Sequence, residues 1–530
     1  GGQAQLTVHL QGSLVADVSL NHLVEVRLNG TQLGGTSWGG HDPLSLELAF
    51  DQNLLIDGDN TVEITALLAD GLVFDEFYLD SFELLYVRDY RASGDRLHAV
   101  TSGAEVVAVD GFTSDDIVVF DISDPAMPVM LEETRVDNEG GAFRVSFGTD
   151  RGIFPFFAAT PAVAVAPVAV VPDQASQLAD PTNQGRYVVI AGDGLEAAAQ
   201  AMADYRAQQG LSTVVARAVD IYDEFSGGLK TPWAIRDFLQ HASATWADPP
   251  RYVFLAGDGS LDHKNVWGDD DDLIPAPMAV TADGLIPSDN LLADWSGGDG
   301  VPELAIGRLP AQTAAELEDY RQKVEVFEGS AGAWKKASLW LADDGDVGGY
   351  FTDDIDEMIE LLPADAEITR VSLEHHGVED AWDVALESMN DGVAMVNYLG
   401  HGGFDRLTEE GLLDTDKAVV MGNGDRTPFL TALTCVVGRF DVPGYDTLSE
   451  ALLLNDGGGA VAVWSPSGYS MNDNARLLGQ LHIEAIAGGG TETIGDSVRT
   501  ALEAYVAAND EGETPHLYVL IGDPATRMDW

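Results

Sequence analysis

Two different hydrophobic patterns divide this chain near residue 186. Up to about residue 150, apolar and polar residues alternate in short runs such as "HLVEVRLNG", "NTVEITALLA" and "DIVVFDISD", which Gly, Asn and Asp residues separate. Alternation with a period of two is typical of strands that bury one face, and the separating residues favour turns. The pattern therefore predicts an all-β sandwich or jelly roll over residues 1–158, with room for a second small β unit from about residue 92.

After residue 186 the pattern becomes one of strands that alternate with helices. A stretch rich in Ala, Pro and Val begins at residue 159, and we interpret residues 159–185 as an extended linker. Beyond it, apolar runs of four to eight residues such as "YVVIA" and "VAMVNYLG" are separated by helical periodicity. Such runs are typical of mostly parallel sheets that helices cover on both faces. The sequence predicts two α/β subdomains, at residues 186–335 and 336–530.

The charge of the chain narrows its possible partners. It has 88 acidic against 27 basic residues and a formal net charge of −61. A surface of this sign repels nucleic acid and anionic lipid, so we exclude both as partners. No apolar run reaches the roughly 20 residues that span a bilayer, and membrane insertion is not expected. The acid excess is typical of a solvation shell suited to high salt. Within it, the loop at residues 267–278 is either simply solvated or a calcium site.

Four predicted strands of the second half end in polar or reactive side chains. These are Asp343 with Asp344, His401, Cys435 and Ser465. Parallel strands present their carboxyl ends at one edge of a sheet, where ligands bind, so we expect these side chains to converge. A thiol, an imidazole and a carboxylate are the groups that nucleophilic catalysis by cysteine requires. Cys435 is the one cysteine of the chain, which rules out an intramolecular disulfide framework.

Glycines surround the histidine in "NYLGHGGFDRL". Gly400, Gly402 and Gly403 leave the backbone open to close approach by a ligand, and the Gly402 N–H could donate to an oxyanion. The alternative to catalysis is a structural role for both residues. The cysteine would then be buried like a small hydrophobic residue, and the histidine would make its hydrogen bonds within the core or a loop. The common position of His401 and Cys435 at strand ends favours catalysis.

Several stretches, in the same order, resemble the gingipain family of cysteine peptidases, which belongs to the caspase-like clan. They are "IYDEFSGGLKTPWAIRDFL", "YVFLAGDGSLDHKN", "ELAIGRLPAQTAAELEDYRQKVEVFE", "MVNYLGHG", "FLTALTC" and "YVLIGDPATRM". The resemblance covers about residues 186–530, with Thr434 as a small departure from the usual Ala before the cysteine. It implies a caspase-like catalytic unit of two subdomains, endopeptidase activity, bound calcium in some members, and a secreted or cell-surface location.

The resemblance also implies roles for individual residues. Cys435 matches the nucleophile and His401 the catalytic histidine. Asp344 matches the acidic residue that contacts the histidine, with Asp343 as the neighbour it could be confused with. The main-chain N–H groups of Gly402 and Cys435 would hold the oxyanion.

The substrate pocket is assigned in the same way. In the arginine-specific members, an aspartate in the helix after the strand that ends at Asp343 and Asp344 binds the P1 side chain. It corresponds to Asp354, or to Asp353 if the gap in the sequence match is placed differently. An aromatic residue covers that pocket, and this chain offers Tyr469 or Met471 instead. Ser465 completes the expected substrate-binding set.

The expected function is that of a cysteine endopeptidase acting on proteins or peptides, with basic P1 residues as the finer expectation and no cofactor required for the chemistry. Two alternatives stay open: a sortase-like transpeptidase of the same family, and a non-catalytic surface-binding protein on a peptidase scaffold. Residues 1–158 would be either a prodomain, making the chain a zymogen, or a permanent accessory module. The sequence does not predict an oligomeric state.

Overall fold

The computed structural model describes residues 2–12, 20–69, 71–72, 74–149, 152–170, 175–269, 272–509 and 512–528. The chain divides into two compact units, Gly1–Gln174 and Ala175–Trp530. No helix in these described ranges is long and apolar enough to cross a membrane.

The elements follow the two predicted patterns. The strands of the first unit are β1 (Gln3–Gly12), β2 (His22–Leu28), β3 (Thr31–Trp38), β4 (Pro43–Asp51), β5 (Val62–Leu68), β6 (Phe77–Leu85), β7 (Arg96–Val100), β8 (Val106–Phe112), β9 (Val118–Asp121), β10 (Val129–Met130), β11 (Thr134–Glu139), β12 (Ala142–Gly148) and β13 (Pro155–Ala159). The strands of the second unit are β14 (Tyr187–Ala191), β15 (Thr213–Arg217), β16 (Tyr252–Ala256), β17 (Met278–Thr281), β18 (Gly284–Pro287), β19 (Ala305–Leu309), β20 (Ala337–Ala342), β21 (Glu367–Ser372), β22 (Met395–Leu399), β23 (Gly402–Gly403), β24 (Arg406–Leu407), β25 (Leu413–Asp414), β26 (Phe429–Leu433), β27 (Ala462–Pro466) and β28 (Tyr518–Ile521). Its helices are α1 (Glu196–Gln208), α2 (Ala218–Ser226), α3 (Pro232–Thr245), α4 (Ala314–Gly329), α5 (Phe351–Ile359), α6 (Val378–Asp391), α7 (Thr415–Val420), α8 (Leu448–Leu454), α9 (Asn472–Ala487), α10 (Ile494–Ala508) and α11 (Thr514–Leu517).

The first unit is built from antiparallel sheets, as the alternating pattern predicts. Sheets β4-β1-β6 and β3-β2-β5 share one core, in which Leu6 and Val8 of β1 meet Val24 and Val26 of β2. Sheets β10-β9-β13-β7 and β11-β12-β8 share a second core around aromatic residues such as Phe156. In β1 and β2 every second side chain is buried, which is the reason for the period of two in their sequences.

The second unit is an α/β fold around one ten-stranded sheet, with the order β15-β14-β16-β19-β28-β27-β26-β22-β20-β21. Every neighbouring pair in it is parallel except β27 with β28. Alternate side chains of β14 belong to two different hydrophobic clusters, so both faces of the sheet are covered. The predicted fold class is confirmed. The two expected subdomains share this sheet, because β28 of the second half pairs with β19 through Ile521 and Arg308.

The centre of the sheet determines where the candidate site lies. Strands β22 and β26 are parallel neighbours with Leu399 opposite Leu433. The Gly400 N–H continues the ladder by donating to the Leu433 carbonyl oxygen at 3.3 Å. Both strands end at the same edge of the sheet. The loops that follow them, which carry His401 and Cys435, therefore leave the sheet side by side.

Candidate active site

The histidine and cysteine loops are in direct contact. A Cβ added to Gly402 would lie 2.4 Å from Thr434 Oγ1 and 3.2 Å from the Cys435 carbonyl oxygen. Real Cβ atoms do not approach other atoms so closely, and only glycine lets the residue after His401 pack on the cysteine loop. The structure therefore brings the two loops that carry the predicted thiol and imidazole into contact at the sheet edge.

Cys435 sits on a strained turn. The next residue, Val436, has φ +47°, in the left-handed region that β-branched residues rarely adopt. The Val436 N–H donates to the Gly468 carbonyl oxygen at 3.0 Å, and the Val437 N–H donates to the Cys435 carbonyl oxygen at 2.7 Å. Backbone strain of this kind persists only where surrounding contacts enforce it, and it is concentrated at functional sites. The turn holds the thiol at the sheet edge.

The sulfur is half-buried beside the loop that precedes α9. The Ser470 N–H donates to Cys435 Sγ at 3.4 Å, and the thiol donates to the Ser470 carbonyl oxygen at 3.6 Å. Burial raises the pKa of Cys435, with a smaller contribution from the Asp283 carboxylate, while the Ser470 N–H acts in the opposite direction. The resting group is therefore a thiol, which needs a base to become a nucleophile.

The imidazole of His401 is hydrogen-bonded to Asp346. His401 Nε2 lies 3.2 Å from Asp346 Oδ2, and the ring packs edge-to-face against Phe351, with 5.4 Å between ring centroids. The Gly348 N–H, at 2.7 Å, is the main reason that the pKa of Asp346 is lowered, and His401 adds to the effect. An ionised carboxylate on Nε2 leaves Nδ1 as the nitrogen available for proton exchange.

The sequence predicted Asp344 for this contact, and here the structure differs. The carboxylate that reaches the ring belongs to Asp346, two residues after Asp344. A tight turn directs it toward His401, and this turn is closed by the Asp346 N–H, which donates to the Gly349 carbonyl oxygen at 3.0 Å. Asp344 instead groups with Asp343 and Glu410. The signal in the sequence was "DVGG", an acidic residue at the start of a turn with two glycines.

Asp343 supports the backbone of the histidine. Its carboxylate accepts the His401 N–H at 3.0 Å and the Asp344 N–H at 3.0 Å. The Tyr398 hydroxyl donates to the His401 carbonyl oxygen from the same side. Burial raises the pKa of Asp343 to about 6, although both N–H groups lower it. The strand-end residue Asp343 is thus a positioning group for the imidazole.

We expect the Asp343→Asn protein to gain thermal stability relative to wild type as pH rises. A carboxyl whose pKa is raised in the folded chain binds its proton more tightly there than in the unfolded chain. Its contribution to the free energy of unfolding therefore decreases as the pH rises from the ordinary aspartate pKa, near 4, to about 6. Melting temperatures of both proteins at pH 4.5 and 7.5 check this. Asp344→Asn is the control. A gap between Asp343→Asn and wild type that does not change with pH would contradict the assignment.

One group of carboxylates and one acidic loop bear on the expected calcium site. Among the described residues, Asp343, Asp344 and Glu410 form a carboxylate group, but Asp343 already accepts two N–H groups. In the loop at residues 267–278, residues 270–271 lie outside the described ranges, and Asp272 pairs with Lys230 at 2.9 Å. Calcium prefers six to eight oxygen ligands, and the two N–H groups on Asp343 compete for oxygens that such an ion would need.

The expected substrate-binding residues divide into two groups. Ser465 is fully buried, and its hydroxyl is 3.0 Å from that of Ser449 on α8, so the prediction that it faces a substrate is wrong. The strand continues to Pro466, which leaves Ser465 inside the sheet layer. Tyr469 and Met471 are 62% and 74% exposed on either side of Ser470, the residue that contacts the sulfur.

Asp354 lies in a groove beside the imidazole. The groove has a volume of about 840 Å³ and is lined by the turn at Asp346 and by residues of α5 and α9. Asp354, not Asp353, is among these lining residues. Asn472 Nδ2 donates to Asp354 Oδ2 at 3.1 Å, and Arg476 Nε lies 3.6 Å from Asp354 Oδ1. Sequence reasoning missed both partners, since α9 is distant in the chain.

Loops that carry a cysteine and a histidine at adjacent strand ends of a mostly parallel α/β sheet fit the class of cysteine peptidases with a caspase-like fold. The comparison with known families makes the assignment narrower. Residues 180–529 match peptidase family C25, and the chain belongs to that family.

Individual relatives are distant. The chain is 24% identical to gingipain R2 of Porphyromonas gingivalis over 270 residues, which is 49% of this chain and 33% of the relative. A match to gingipain R1 has the same identity over 24% of the relative, so the chain spans a third or less of these two proteins.

Two solved structures share the fold. The crystal structure of the Arg-specific cysteine proteinase gingipain R has a TM-score of 0.56 at 22% identity, over 65% of this chain and 78% of that one. Dimeric latent PorU from Porphyromonas gingivalis has a TM-score of 0.53 at 16% identity and covers 99% of this chain and 48% of that one.

Proposed function

We propose that this member of family C25 is an endopeptidase with Cys435 as nucleophile and His401 as proton carrier. The observation that supports it most is the contact between the two loops at the sheet edge, where Gly402 packs on Cys435. The second support is the burial that keeps the sulfur protonated until a base acts.

The reaction follows from these groups. His401 takes the thiol proton while Sγ attacks the carbonyl carbon of the substrate, forming a tetrahedral oxyanion. The N–H groups of Gly402 and Cys435 stabilise this oxyanion. Collapse breaks the C–N bond, and the imidazolium gives its proton to the leaving amine. A water molecule, deprotonated by His401, then hydrolyses the thioester and releases Cys435.

The groove beside His401 supports a preference for basic residues at P1. The carboxylates of Asp346, Asp354, Glu357 and Asp473 line it, against the single guanidinium of Arg476. Carboxylates pair strongly with a guanidinium or an ammonium group. Tyr469 and Met471, exposed at the edge of the cysteine loop, would cover the bound side chain.

Digestion of a peptide library, followed by mass spectrometry, tests this function. We expect internal cleavage that the Cys435→Ala protein does not show. A parallel digest with added glycinamide separates hydrolysis from acyl transfer: amide-capped products would favour a sortase-like transpeptidase. A library left intact by the full chain and by Ala175–Trp530 alike would favour the non-catalytic scaffold.

We place the enzyme outside the cell or on its surface because of its family. Residues 1–158 are proposed as either a removable prodomain or a lasting accessory module, and the digest of the full chain reports which: self-cleavage after Arg151, the last basic residue before Arg186, would identify a prodomain. Calcium stays a prediction for the loop at residues 267–278.

Replacing Asp346 with Asn is expected to lower kcat by about tenfold, because the imidazolium loses an ionised partner. The pair is half-exposed, so water moderates the loss. Steady-state kinetics on a peptide cleaved by wild type checks this, with Asp344→Asn as the matched control. A larger loss of kcat in Asp344→Asn than in Asp346→Asn would indicate that Asp344, and not Asp346, orients the His401 ring.

A further inference from the structure

A guanidinium of this chain already occupies the acidic wall of the groove. Arg476 lies on α9, with its Nε 3.6 Å from Asp354 and its Nη1 3.3 Å from Glu357, both on α5. Asn472 and Gln480, one turn before and after it, hydrogen-bond to the same two carboxylates at 3.1 and 3.3 Å. Residues four apart share a helix face, so one face of α9 meets one face of α5.

Close helix packing fixes this arrangement. A Cβ added to Gly349 would lie 2.4 Å from Asn472 Nδ2, and one added to Gly479 would lie 2.4 Å from Leu433 in β26 and 3.1 Å from Met358 in α5. The two glycines let α9 approach both the sheet and α5. The position of Arg476 between two carboxylates is thus a consequence of the fold rather than of a mobile surface chain.

The groove shares its lining with the candidate site. Asp346, which holds His401, is one lining residue. Asn472 is another, and it follows by two residues Ser470, whose N–H contacts the sulfur. A side chain next to the scissile bond would therefore reach this groove, where it meets Arg476.

We propose that Arg476 is a specificity-determining residue that competes with a basic P1 side chain for Asp354 and Glu357. This inference rests on the proposed function and names the substrate class that the groove discriminates. While Arg476 holds two of the four carboxylates of the groove, the preference for arginine over an uncharged residue of the same shape is reduced. Without its charge, both carboxylates lose this ionic partner and can pair with a cationic substrate side chain.

Two peptides that differ only in arginine or citrulline at P1 test this, because citrulline has the shape of arginine without its charge. In the Arg476→Met protein we expect the ratio of kcat/KM for arginine over citrulline to rise about tenfold, the size of one charge-assisted pair. The gain should appear in KM, since the contact forms equally in the ground and transition states.

The control is Arg499→Met on α10. Arg499 has nearly the same side-chain exposure, 34% against 33%, and also pairs with a helical glutamate. Its ratio should equal that of wild type. Arg476→Lys, which keeps the charge, should also stay near wild type, and melting curves verify that the variants fold. An unchanged or lower ratio in Arg476→Met would overturn the proposal.

The affinity of the groove for a basic side chain can also be measured without catalytic turnover. N-acetyl-arginine amide and N-acetyl-citrulline amide are titrated by NMR into the Cys435→Ala protein with and without Arg476→Met. We expect the arginine amide alone to bind about tenfold more tightly when Arg476 is replaced. If wild type cleaves neither peptide, the proposed function fails while this titration still decides the role of Arg476. Equal affinities in the two proteins would refute that role.

Discussion

Replacing Cys435 with alanine is expected to lower peptide cleavage by at least about 10⁴-fold while the fold stays intact. The sulfur is the group that forms the acyl-enzyme, and no other thiol exists in the chain to substitute for it. Initial rates on a peptide found in the library digest measure the effect. The fold should persist because alanine only removes one half-buried atom, whose contacts are with Ser470.

Cys435→Ser is the matched variant for this experiment. It retains the shape and the hydrogen-bonding geometry at Ser470, but a hydroxyl loses its proton far less readily than a thiol. We expect a loss nearly as large as for alanine and an unchanged melting temperature. Cleavage at the wild-type rate by either variant would remove the thiol from the mechanism.

Replacing His401 with alanine is expected to lower kcat by about 10³-fold, within the range that general acid–base catalysis supplies. The effect should be large because burial raises the pKa of Cys435, so little thiolate exists without a base. Steady-state kinetics between pH 6 and 9 checks this. The residual rate of the variant should increase with pH throughout, as hydroxide takes over from the imidazole.

His375→Ala serves as the matched control. This histidine is also exposed and also follows a strand of the large sheet, β21, but its N–H donates to Ser372 within its own turn. Its removal should leave kcat within twofold of wild type. Equal losses in the two variants would indicate a general effect on the sheet edge rather than a role for His401.

The sequence predicts the part of the site that parallel strands impose. His401 and Cys435 each end an apolar run, and neighbouring parallel strands must end at one edge. The same reasoning failed for Ser465, because the apolar run ends two residues before its strand does, and the side chain stays inside the layer. A residue at the end of an apolar run is therefore a good candidate only where the chain leaves the sheet there.

Contacts made by turns and by distant helices were beyond sequence reasoning. Asp346 reaches the imidazole because of a turn closed by Gly349, whereas the family resemblance, matched at the end of the strand, pointed to Asp344. Arg476 meets Asp354 across 122 residues of chain, since α9 packs against α5. Charge counting could not find this pair in a chain with 88 acidic residues, where most carboxylates are solvated.

The pairing of thiol and imidazole is tested most directly by covalent labelling. A peptidyl acyloxymethyl ketone with arginine at P1 is added to the wild-type and His401→Ala proteins, and intact mass with peptide mapping locates the adduct. The account predicts one adduct per chain, on Cys435, formed at least about 100-fold more slowly in His401→Ala. An adduct on another residue, or equal labelling rates in the two proteins, would contradict it.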